Sequence, residues 1–97
     1  MMRERFVEEL LRVIAAFINK ESNRRSMITV TEVVLDQRGK HANVFISVYP
    51  DKDLRAAVEF LERQRNELRD YLTTHIRVRS IPHLSFLPSP TMGTSPE

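Results

Sequence analysis

Arginine is the residue type whose placement in this chain points to chemistry. The stretch Glu62–Asp70, ERQRNELRD, carries Arg63, Arg65 and Arg69 within seven residues. A guanidinium is a planar fork that can pair two phosphate oxygens at once. Arg77 and Arg79 follow, two residues apart, and share one face if the chain is extended there. Arg38 and Lys40 flank a glycine, and Arg24 and Arg25 lie in an earlier polar stretch. Glu67 and Asp70 offset the charge between 63 and 79 only in part. The chemistry on offer is phosphate recognition. A plainer reading is a solvated helix face with i,i+4 pairs such as Glu59–Arg63, Arg65 lying along its helix to reach Glu62 or water. Composition alone leans slightly to the plainer one.

Other chemistries lack their parts. Without cysteine there is no disulfide framework and no thiolate metal site. His41, His75 and His83 have no metal-ligand spacing, and the two glycines lie too far apart for a phosphate loop. No Ser/His/Asp motif is present, and pairs such as Glu8–Glu9 suit a solvated face. The expectation is a protein without catalysis, cofactor or metal. No apolar run is long enough to span a membrane, and MMRERFVEELLRV has acidic residues misplaced for a secretion signal. A cytoplasmic monomer follows as the expectation. The net charge of +2 is too weak to identify a nucleic-acid binder by itself.

The elements that would position the arginines follow from periodicity. The 97 residues fit one domain with a modest core. Arg3–Asn19 is a helix, with Val7, Leu10, Leu11, Ile14, Phe17 and Ile18 at helical spacing. Ile28–Asp36, rich in β-branched residues, is a strand. Gln37–Lys40 contains Gly39 and suits a hairpin. His41–Tyr49 alternates, with Ala42, Val44, Ile46 and Val48 on one side. Asp51 or Asp53 is the N-cap of a second helix running to about Thr73, its stripe Leu54, Val58, Leu61, Leu68 and Leu72 broken by Arg65. Ile76–Leu87 is the third strand, with Pro82 as an edge, bulge or break signal. Residues 88–97 read as a disordered tail after a domain spanning 1–87. A hairpin makes strands one and two antiparallel; a helical crossover makes two and three parallel and right-handed. The fold class is α+β, a three-stranded mixed sheet in the order 1-2-3 with its helices on one face.

At these residues the chain resembles the bacterial ribosome-binding factor A family. ITVTEV is similar to the family's first strand and HANVFISVY to its second. IRVRSIPHLSF is similar to its closing strand, where Arg77, Arg79, Pro82, Leu84 and Phe86 match an Arg-x-Arg-x-x-Pro-x-Leu-x-Phe pattern. The likeness covers roughly Arg5 to Phe86. It implies a type II KH-like fold of order α-β-β-α(kinked)-β. It also implies an assembly factor that binds the free small ribosomal subunit and its ribosomal RNA and assists late rRNA maturation and processing. The usual KH module clamps nucleic-acid backbone with a GxxG loop. The family carries an Ala-x-Gly helix junction instead, and this falls on Gln64, Arg65 and Asn66.

A bend there is also expected on size. An unbroken helix from Asp53 to Thr73 would run about 31 Å, against a radius of gyration of about 12–13 Å for a compact chain of this length. Asn66 is the residue best able to replace glycine in a left-handed conformation. The candidate RNA-binding set is therefore Arg63, Arg65, Asn66, Arg69, Arg77, Arg79, Arg38 and Lys40. The alternative is a protein-interaction module using a helix groove or a sheet edge.

Overall fold

A computed structural model of the chain describes residues 2–21, 26–78 and 80–90. The elements run α1 (Met2–Glu21), β1 (Met27–Leu35), β2 (His41–Tyr49), a 3-10 turn (Asp51–Asp53), α2 (Leu54–Arg63), α3 (Arg65–His75) and β3 (His83–Pro88). The sheet order is β1-β2-β3. β1 and β2 are antiparallel and β2 and β3 are parallel. Arg24, Arg25 and Arg79, together with the tail from residue 91, lie outside the described residues.

One face of the sheet carries the core. Ala42, Val44, Ile46 and Val48 of β2 are buried, as the alternation of that segment predicts. Leu10, Ile14, Phe17 and Ile18 of α1 cover them together with Leu61, Leu68 and Leu72. All three helices therefore share this face. The opposite face, with Tyr49, Thr29 and Leu87, is open.

β1 reaches this arrangement through a bulge. Strict alternation from Ile28 and Val30 would turn Glu32 inward and Val33 outward. The register shifts between Val30, opposite Ile46, and Glu32, opposite Phe45. Thr31 is the extra residue, and its hydroxyl donates to the Phe45 carbonyl at 3.2 Å. The shift buries Val33 and leaves Glu32 exposed, so an apolar side chain replaces a carboxylate in the core.

Three expectations need correction. The first is the third strand, which begins at His83 and not at Ile76. α3 runs to His75, and Ile76 caps it in extended conformation, its N–H bonded to the Leu72 carbonyl. The described residues between α3 and β3 belong to no helix or strand, and Ile76 and Pro82 among them are buried. The boundary at residue 87 also moves. β3 includes Pro88, and Ser89 is buried with its N–H bonded to the Ile46 carbonyl at 2.7 Å. Lastly, Asp53 occupies the N-cap of α2 without a side-chain cap bond. Its carboxylate instead accepts the Ser26 hydroxyl at 2.7 Å and ties the start of β1 to the turn.

Candidate nucleic-acid interface

The expected break in the long helix exists and is one residue wide. Gln64 has φ −91 and ψ 5, opened from helical values. Helical bonding continues on both sides of it. Its N–H reaches the Phe60 and Leu61 carbonyls, and its own carbonyl accepts the Leu68 N–H. Asn66 is not the hinge. It lies in the first turn of α3, and among the described residues no residue other than glycine has a positive φ. The junction is thus softer than a left-handed turn. Gln64 Oε1 is buried and has no hydrogen-bond partner.

Arg65 is not turned outward. It is half-buried, and its Nε donates to the Leu84 carbonyl of β3 at 2.8 Å. Arg69 lies one turn further along α3 and is exposed, as are Arg63 and Asn66. Arg65, Asn66 and Arg69 form one wall of a groove, with Ile81, Pro82, His83 and Leu84 opposite. Its volume is about 290 Å³. None of Arg63, Arg65 and Arg69 has an ion-pair partner among the described residues, where Arg12 and Glu9 do pair, at 3.9 Å. The expected Glu59–Arg63 pair is absent. Three guanidinium groups near one helix start are therefore without an ion pair.

Arg77 leaves this group. It lies on the connection after α3 and lines a separate, more apolar cleft with Arg5, Phe6, Glu9, Leu35, Gly39 and Val78. It belongs to no strand, so the reasoning that paired it with Arg79 on one strand face does not hold. Arg38 and Lys40 are exposed on the hairpin. The base of that hairpin meets the groove wall, because the Lys40 carbonyl accepts the His83 N–H at 2.9 Å.

Sequence reasoning missed His83. It lies directly opposite His41 in the parallel ladder, with the ring centres 4.9 Å apart. His41 Nε2 also lies 3.3 Å from the Ser85 hydroxyl. The only signal was its place between Pro82 and Leu84, which says nothing of a groove until β3 is set beside α3. Among the described residues no cluster of three or more metal-ligand side chains forms.

Comparison with known proteins places this geometry. The family model described as ribosome-binding factor A matches residues 2–95. The ribosome-binding factor A of Alkalilimnicola ehrlichii is 35% identical over 83 residues, 81% of this chain and 64% of that protein. This chain thus spans just under two thirds of that relative's length. The crystal structure of ribosome-binding factor A from Thermus thermophilus superimposes with a TM-score of 0.80 at 26% identity, over 96% of this chain and 98% of that one. Coordinates of the Thermus thermophilus factor fitted into a cryo-electron-microscopy map of a 30S complex give 0.77 at 27% identity, over 93% of this chain and 94% of that one.

Proposed function

Since the chain belongs to the ribosome-binding factor A family, we propose that it is a non-catalytic RNA-binding factor for the free small ribosomal subunit. Its role is to assist late maturation and processing of the ribosomal RNA in that particle. The observation that carries this reading is the groove at the start of α3. There Arg69 is exposed and Asn66 is beside it, and the neighbouring Arg63 also lacks an acidic partner. A similar protein of Thermus thermophilus has been fitted into a map of its 30S complex, which supports the choice of particle. The domain acts as a KH-like module in which the helix junction replaces the GxxG loop. Arginine suits the task, since phosphate contacts dominate affinity and need no base reading.

Co-sedimentation with free small subunits and with complete ribosomes tests the reading. The chain should travel with the former and not with the latter. The double variant Arg63→Glu, Arg69→Glu should lose subunit binding at moderate salt while melting close to the parent, because exposed charges contribute little to folding. Binding that survives this change would move the contact elsewhere. The runner-up, a protein-docking module, is favoured by the apolar cleft around Phe6, Leu35 and Val78, where Val78 is 41% exposed. Salt separates the two readings: phosphate contacts weaken steeply as salt rises, and an apolar contact does not.

A further inference from the structure

Arg65 and Arg69 line one groove, yet their surroundings differ. β3 has a neighbour on one side only. The His83 N–H bonds to the Lys40 carbonyl at 2.9 Å, and the Ser89 N–H bonds to the Ile46 carbonyl at 2.7 Å. In a parallel ladder alternate residues turn their backbone groups toward a given neighbour. The odd-numbered residues of β3 therefore face β2. Leu84, Phe86 and Pro88 face the free edge, where the missing N–H of Pro88 costs nothing. The carbonyl that Arg65 holds is one of these edge groups, with no strand to satisfy it.

Backbone bonds continue through Gln64, but side chains hold the junction lightly. Gln64 makes no side-chain cap, its amide oxygen is unpartnered, and no glycine or left-handed residue sets the turn. Leu68 and Leu72 anchor the body of α3 in the core, but they lie beyond its first residues. Among the described residues, the one side-chain bond from the start of α3 to the sheet is that of Arg65. We infer that Arg65 is a positioning residue: its bond to the Leu84 carbonyl fixes the course of α3 at Gln64 and so sets Asn66 and Arg69 over the groove, while Arg69 makes the phosphate contact. This assignment rests on the RNA-binding reading above.

Two substitutions separate the tether from the charge. Glutamine places its amide Nε2 the same number of bonds from Cα as the arginine Nε, so Arg65→Gln keeps a donor and loses the charge. Arg65→Met puts a methyl group there and keeps neither. Affinity for purified free small subunits is measured over a range of potassium chloride at fixed magnesium, well below the melting temperature. Arg65→Gln should bind like the parent. Arg65→Met should bind about tenfold more weakly, from the loss of one charge-assisted hydrogen bond, with the same salt dependence. Arg69→Gln, by contrast, should flatten the slope of log K against log salt by about 0.7–0.9, the loss of one phosphate contact.

The proposal is overturned if the two Arg65 variants behave alike. Both weak with a flattened slope makes Arg65 a phosphate ligand; both intact makes it scaffold alone. An unchanged slope in Arg69→Gln would overturn the assignment of the phosphate contact to Arg69, whereas failure of the RNA reading shows separately, as parent binding that does not weaken as salt rises. Amide NMR of the free protein tests the tether without RNA: Arg65→Met should shift the Asn66, Glu67 and Leu84 signals, and Arg65→Gln should leave them near their parent positions. Equal shifts in both variants would also overturn it.

Discussion

The chain reverses or redirects itself at two places that frame the groove, and they are built differently. At the hairpin the bonds that set the turn are local. Asp36 Oδ1 accepts the Lys40 N–H at 2.8 Å and the His41 N–H at 3.2 Å, and Gly39 supplies φ 73. At the helix junction local backbone bonds are joined by a distant side-chain bond. Gln64 stands at the cap position of both helices but is not glycine and makes no side-chain cap bond, and the side-chain bond beside it runs from Arg65 to Leu84, 19 positions away. A turn made of neighbours survives changes elsewhere, whereas a turn made by a distant tether depends on the sheet being in place.

The largest test of that contrast removes what both bends share. Ile46 is fully buried in β2 between them, and Ile46→Ala should cost about 2–5 kcal/mol in chemical denaturation. An effect near zero would mean that the covered face of the sheet is misplaced. Breaking the tether comes next. Arg65→Met leaves the Leu84 carbonyl unpaired and should cost about 1–3 kcal/mol, with hydrogen exchange rising at the start of α3 and not at the hairpin. Gly39→Ala should cost about 1–2 kcal/mol from backbone conformation alone, since nothing lies within 4 Å of the added carbon.

Smaller effects sharpen the comparison further. Asn66→Gly should destabilise by about 0.3 kcal/mol, because Asn66 is helical and glycine is the poorer helix former. Stabilisation would instead restore a left-handed hinge there. The hairpin should also show a pH signature. Desolvation raises the Asp36 carboxyl, but bonds from the His41, Lys40 and Gly39 backbone and the charge of His41 outweigh it, so the net shift is downward from 3.8. A depressed folded-state value means that this stabilisation is present above the unfolded value and drains as pH falls through the folded one. Asp36→Asn should therefore lower stability most at neutral pH, where the bonded carboxylate contributes, and converge on the parent as pH falls below about 4, flattening the acid limb.

Much of the architecture is legible in the residues themselves. His41–Tyr49 alternates so cleanly that its ends and its buried face match the structure. The hairpin is announced by Gly39 in a short polar connection, and the β-β-α-β order leaves one parallel crossover to draw. The bend at residues 64–66 was reached from helix length, the broken stripe and the family likeness together. Its chemistry was not, because Arg65 looks the same in sequence whether it faces water or a carbonyl. The bulge at Thr31 was likewise hidden, since ITVTEVVL is strand-like in either phase.

What the sequence by itself determined is therefore the type and order of the elements and the apolar face of the central strand. These depend on side-chain period and turn chemistry between near neighbours. Only the tertiary structure decided which arginines share a groove, where β3 begins, and that Ser89 closes it. It sent Arg77 to a different cleft from Arg69, eight positions earlier in the chain. It also left the Leu84 carbonyl on a free edge within reach of Arg65. The physical reason is that an unpaired backbone group exists only once the strands have chosen their neighbours, and a long flexible cation takes its role from whatever acceptor that choice leaves open.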